Sequence, residues 1–113
     1  MAAVYVSNIV INQGSDFSQV FNLADESNGA INLTDFVLSA QMRKHAGSSV
    51  STNLNPTVAQ PSSDGAVRIT LTDVQTSALK PGRYVYDILI ADPTGIKTRV
   101  VEGSAIVREG VTR

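Results

Sequence analysis

The sequence has no cysteine and no tryptophan, a single histidine, and aromatic residues at only 5%. Without thiols neither a disulfide framework nor a thiolate metal site can form. With one histidine, any Ser-His-Asp arrangement has to be built on His45, which sits in Arg-Lys-His-Ala-Gly at the end of a strand pattern and reads as a solvated position. An excess of charge of one sign is missing too. Nine basic and ten acidic residues leave a formal net charge of -1, so the electrostatic footprint of a phosphate-backbone binder is absent. No apolar run approaches the roughly 20 residues of a membrane-spanning helix. The start, Met-Ala-Ala-Val-Tyr-Val-Ser-Asn, lacks the basic and uninterrupted apolar regions of a signal peptide. These absences lead us to expect no nucleic-acid partner, no membrane partner and use without Sec-type export.

What is present is a chain of 113 residues, 42% hydrophobic and 17% charged. That is one domain's length, and a core of Val, Ile, Leu and Ala has to carry the burial energy at about 25 cal/mol per Å². Val4 to Ile11 is rich in β-branched residues and ends in the turn chemistry of Asn-Gln-Gly-Ser. Asp16 to Leu23 alternates, with Phe17, Phe21 and Leu23 on one side. Ala24 to Thr34 holds a turn signal at Asn28-Gly29. Phe36 to Arg43 alternates strictly, Phe36, Leu38, Ala40 and Met42 against Val37, Ser39, Gln41 and Arg43. Residues 44–64 shift to Ser, Thr, Asn, Gly and Pro, with Leu54 and Val58 able to anchor a short edge strand.

Ala66 to Leu71 alternates again. Thr72 to Leu79 is the one helical stretch, capped by Thr72 or Asp73, apolar at Val74, Ala78 and Leu79, and stopped by Pro81-Gly82. Gly82 to Ala91 is apolar on both faces, as a central strand is. Asp92-Pro-Thr-Gly95 has the residues of a type I turn. Ile96 to Val107 forms a last long strand, with Gly103 expected at a bulge or bend. Seven or so strands with turn signals about every 8 to 12 residues predict an all-β, immunoglobulin-like antiparallel β-sandwich with one short helical turn. A small barrel is the alternative, and spacing does not separate the two.

Four features invite a functional reading. Arg43, Lys44, Arg83, Lys97, Arg99 and Arg108 are basic, but acidic residues interleave with them and few aromatics accompany them. The glycines are scattered singly and form no phosphate-binding loop; the acidic residues Asp25, Glu26 and Asp92 do not match calcium-loop spacing. No catalytic, cofactor-binding or metal residues are therefore assigned. The densest motif is Leu79-Lys-Pro-Gly-Arg-Tyr-Val-Tyr-Asp-Ile88. A Gly, one residue, then a Tyr at the start of a central strand is a tyrosine-corner pattern, which makes Gly82 and Tyr84 structural. Asp87, inside the most apolar strand, is expected to need a partner if it faces inward, and Arg99 across the Asp92–Gly95 turn is in cross-strand range for a buried ion pair.

Several blocks carry a resemblance: Asp16-Phe-Ser-Gln19, Ile31-Asn-Leu-Thr-Asp-Phe36, Gln41-Met-Arg43, Leu79 to Asp87, Val101-Glu-Gly103 and Gly110-Val-Thr-Arg113. Together they resemble small virion structural proteins of tailed phages, of the type found in myoviruses of marine cyanobacteria, and more loosely the N-terminal domain of phage baseplate upper proteins. The resemblance implies an immunoglobulin-like sandwich used as a non-enzymatic assembly module in the tail or baseplate, or as a decoration protein on the capsid. It implies a virion location after assembly in the host cytoplasm. The implied partners are other virion proteins and further copies of the chain in a homo-oligomer. A single domain over 1–113 is expected, with 1–11 and 108–113 as contact arms. A small-molecule ligand is not expected. A carbohydrate-binding module is the competing reading, although such modules want exposed aromatics and only Tyr5, Tyr84 and Tyr86 are on offer.

Overall fold

The computed structural model describes residues 5–23, 29, 31–60 and 65–112. Among these, nine strands and one helix follow in order: β1 (Tyr5–Val6), β2 (Ile9–Asn12), β3 (Phe17–Asn22), β4 (Val37–Arg43), β5 (Thr52–Asn53), β6 (Thr57–Val58), β7 (Ala66–Leu71), α1 (Asp73–Ser77), β8 (Gly82–Ala91) and β9 (Lys97–Arg108). The larger sheet has the order β1-β9-β8-β4-β5, with β2 also on β9, and the smaller has the order β3-β7-β6. Their facing sides enclose one core, in which Ile11, Val67, Ile69, Ile88, Val100 and Val101 are fully buried. This is the all-β sandwich expected from the alternating strands, with β8 as a central strand between β4 and β9. The expected turn at Asn28-Gly29 and the Asp25-Glu26 pair lie outside the described residues, apart from Gly29 itself.

The register is antiparallel everywhere except at the N-terminus, where β1 and β2 run parallel to β9. This first strand is split at Ser7-Asn8. Ile9 and Ile11 of β2 are buried, at 3% and 0% exposure, so residues 5–11 are part of the fold and not a loose contact arm. At the other end Arg108 closes β9 opposite Asn12, the Gly110 N–H bonds the Gln13 side chain at 3.0 Å, and Val111 is exposed.

The irregularity expected at Gly103 lies elsewhere. Ile88 pairs with Val101 and Leu89 with Arg99, which leaves Val100 as the extra residue of a bulge. The bulge turns two successive valines into the core. Gly103 serves a different purpose: a Cβ there would collide with the Ser7 carbonyl, where the split first strand runs close beside β9.

Helix α1 is a single turn that survives through its ends. Thr72 caps it, accepting the Gln75 N–H at 3.2 Å, while the Gln75 side chain accepts the Thr72 N–H at 2.9 Å. Of the expected apolar side Leu79 is buried in the core but Val74 is exposed, and within the turn the fully buried side chain is Thr76. The Thr76 hydroxyl donates to the Ser15 carbonyl at 2.9 Å and accepts the Gly14 N–H at 3.1 Å, tying the helix to the β2–β3 turn.

Candidate functional site

The chain's densest motif begins where α1 ends. Gly82 takes φ +145, a conformation that L side chains rarely adopt, and opens β8. Two residues on, the Tyr84 hydroxyl donates to the Lys80 carbonyl at 2.7 Å, and Lys44 Nζ stands 4.9 Å from the centre of its ring. This is the geometry of a tyrosine corner: the ring is half-buried against the core and its hydroxyl fixes the loop that precedes the strand. The Gln13 side chain donates to the Leu79 carbonyl at 3.0 Å, so the same loop is also held from the N-terminal side.

Tyr86, next on the inner face, is buried and packs against Phe21 with ring centroids 6.4 Å apart. Its hydroxyl donates to the Ser7 carbonyl at 2.6 Å. Burial raises the Tyr86 pKa, and the hydrogen bond to Ser7 only partly offsets this. A second acid has the opposite shift. Asp92, in the β8–β9 turn, is lowered first by the Thr94 hydroxyl and then by the Ile96 N–H, which bond its carboxylate at 2.6 Å and 3.0 Å.

Asp87 follows from the period-2 alternation. With Tyr86 and Ile88 turned into the core, Asp87 points to the outer face of the large sheet. It does meet Arg99, Nε to Oδ2 at 3.3 Å, but the Arg99 and Asp87 side chains are 53% and 34% exposed. The pairing with Arg99 is present, and because Asp87 faces outward it is a surface pair rather than the buried one an inward carboxylate would have made. The strand misleads because Val85 and Leu89, which share the outer face with Asp87, are themselves apolar; Val85 is 38% exposed.

This outer face is hollowed into a groove of about 660 Å³ across β4, β8 and β9, with Gln41, Arg43, Asp87, Leu89, Arg99, Glu102 and Ser104 among its lining residues. Asp87 stands opposite Gln41 on one side and Glu102 on the other. Two carboxylates directly across from each other repel, and the Arg99 guanidinium answers the negative charge on that side. The Arg43 guanidinium reaches the Gln41 amide oxygen at 2.9 Å and also donates to the Ser48 carbonyl. Glu102 and Gln41 were not singled out in the sequence; their places on the outer face follow from alternation, but which strands are neighbours does not.

His45 is exposed and lies at one end of this groove. Among the described residues no hydrogen bond links its ring to a hydroxyl or a carboxylate, and no group of three or more His, Asp or Glu is placed to hold a metal ion. The groove offers paired charges, an amide and a hydroxyl on a shallow apolar floor. A second hollow, of about 720 Å³, lies at the end of the sandwich between Gln13, Gly14, Asp73, Ser77 and the 109–112 segment.

No family model matches the sequence, and no curated protein matches it. Solved structures do share the fold. The SrpA adhesin of Streptococcus sanguinis superposes with a TM-score of 0.51 at 16% identity, over 96% of this chain and 57% of that one. The GspB Siglec domain superposes with a TM-score of 0.53 at 15% identity, over 91% of this chain and 54% of that one. The chain spans a little over half the length of both, and at such identities the likeness is one of fold alone.

Proposed function

We propose that this chain is a non-enzymatic structural module of a tailed-phage virion. It joins neighbouring virion proteins and copies of itself in the tail or baseplate, or decorates the capsid surface, after assembly in the host cytoplasm. Neither nucleic acid nor membrane is a partner in this reading, and no cofactor takes part. One observation carries it. In the motif that bears most of the resemblance, Leu79 to Asp87, the tyrosine hydroxyls are bound to the chain's own backbone, Tyr84 to Lys80 and Tyr86 to Ser7. The carboxylate there is held by Arg99. The residues that look reactive stiffen a corner, which suits a part that bears contacts in an ordered assembly. Mass spectrometry of gradient-purified particles tests it: peptides of this chain should persist through high-salt washing in stoichiometric amounts with the other structural proteins.

A glycan-binding role in host attachment is the second reading. It is favoured by the groove, where Gln41, Arg43, Asp87 and Ser104 present donors and acceptors to a polyhydroxy ligand, and by the same fold occurring in the SrpA adhesin and the GspB Siglec domain. Against it, the one aromatic residue lining the groove, Tyr86, is 4% exposed and offers no stacking platform. Glycan-array binding at micromolar strength that is lost on Arg43→Ala would favour this reading over the first.

A further inference from the structure

Among the described residues strand β3 has a partner on one edge only. It pairs with β7 in a register that sets Phe17 opposite Leu71 and Asn22 opposite Ala66. The Leu23 N–H bonds the Gly65 carbonyl at 2.8 Å in the same register, while Ala66 and Thr70 turn their backbone groups away, to Ala59 and Leu54. Antiparallel alternation then directs the backbone groups of Phe17, Gln19 and Phe21 toward β7 and those of Ser18, Val20 and Asn22 toward the outer edge. Among the described residues no segment meets them there.

Natural sheets protect such edges with lysines, prolines, bulges or short length. Strand β3, Phe-Ser-Gln-Val-Phe-Asn, has six residues, no charge, no proline and an unbroken register. The other edges differ: β5 and β6 have two residues each, and the β1–β2 edge is split at Ser7-Asn8.

We propose that β3 is a self-association edge, on which the β3 of a second copy docks antiparallel about a two-fold axis through Val20, merging two three-stranded sheets into one of six strands. The proposal rests on the assembly reading and deepens it by naming the surface and the partner. The strand is self-complementary about that axis. Val20 meets Val20, and Ser18 meets Asn22, so the three residues with free backbone groups pair with one another. On the core side Phe17 falls opposite Leu23, apolar against apolar. Gln19 falls opposite Phe21, its amide in solvent at the mouth of the sandwich, where it is already exposed.

The paired stretch, residues 17–23, carries no charge. The nearest charge in register is Arg68, across β7 from Val20. The two Arg68 side chains would stand three strand spacings apart, about 14 Å, beyond the Debye length of about 8 Å at physiological salt.

The experiment is sedimentation equilibrium of the purified chain at about 100 µM, well above a micromolar dissociation constant, with hydrogen exchange read at Ser18, Val20 and Asn22. The expected result is a species of twice the 12.0 kDa chain mass and slowed exchange at these amides, which have no acceptor among the described residues. Val20→Lys, on an outward side chain that is 37% exposed, should give a folded monomer with fast exchange there. Val10→Lys, on the other sheet, should remain dimeric. A monomeric wild-type chain, or a Val20→Lys chain that dimerises like wild type, overturns the proposal. A monomer that is still found in virions overturns the dimer and leaves the assembly reading standing; a β3 dimer absent from virions does the reverse.

Discussion

The Tyr86 hydroxyl and the Ser7 carbonyl, 79 positions apart in the chain, are joined by a 2.6 Å hydrogen bond. This bond closes the place where the first strand splits, just where Gly103 leaves room for it. Tyr86 is the clamp that keeps the N-terminal strand on β9. Tyr86→Phe keeps the ring against Phe21 and removes only the clamp. Losing one partly buried bond should cost about 1 kcal/mol, a fall in Tm of roughly 4–8 °C for a domain of this size, with faster hydrogen exchange at Ser7.

The same close approach makes Gly103 intolerant. Gly103→Ala drives a methyl into the Ser7 backbone and should destabilise by about 1–3 kcal/mol, as overpacking does. Gly95→Ala separates space from conformation. Nothing lies within 4 Å of a Cβ there, but φ is +93, so only backbone strain of about 1 kcal/mol remains. Denaturant midpoints with unchanged slopes would read both.

Alkaline pH should weaken the fold through Tyr86. Its folded pKa lies above the unfolded value of about 10, so the neutral phenol is the form favoured on folding. Its contribution is complete below pH 10 and is lost as pH rises through the folded pKa. Stability curves of wild type and Tyr86→Phe should therefore run parallel at neutral pH and converge above pH 10. Asp92 has the opposite sign: its lowered pKa contributes stability above the unfolded carboxylate value, lost as pH falls through the folded one, and Asp92→Asn should flatten that acid limb.

Removing Asp87 should do little. As a surface partner of Arg99, Asp87→Ala is expected to change stability by about 0–1 kcal/mol, and by less in molar salt. It also relieves the facing of Asp87 and Glu102. Urea unfolding at low and high salt measures both effects.

Most of the sandwich was legible because strands write themselves in steps of two. Phe36 to Arg43 and Gly82 to Ala91 gave away β4 and β8, and the Gly82–Tyr84 corner could be read because its hydrogen bond spans only four residues. What stayed hidden depends on partners far apart in the chain. A bulge at Val100 leaves no mark when Val100 and Val101 are the same residue. The purpose of Gly103 cannot be seen without Ser7 beside it. The side that Asp87 faces stayed open because the outer face of β8 is apolar at Val85 and Leu89, so both faces read as core, while its partner Arg99 followed from the short β8–β9 turn. The apolar pattern of Val74, Ala78 and Leu79 marks the helix and Leu79 is buried, but the side chain that anchors it is Thr76, whose partners Gly14 and Ser15 lie about sixty residues earlier.

Antibody raised against the purified chain and applied to intact phage particles under the electron microscope tests the virion assignment most directly. The account predicts regular labelling of a fixed part of the particle, tail end or head surface, in multiple copies. Particles that bind no antibody at either place, from lysates in which the free chain is plentiful, would contradict it.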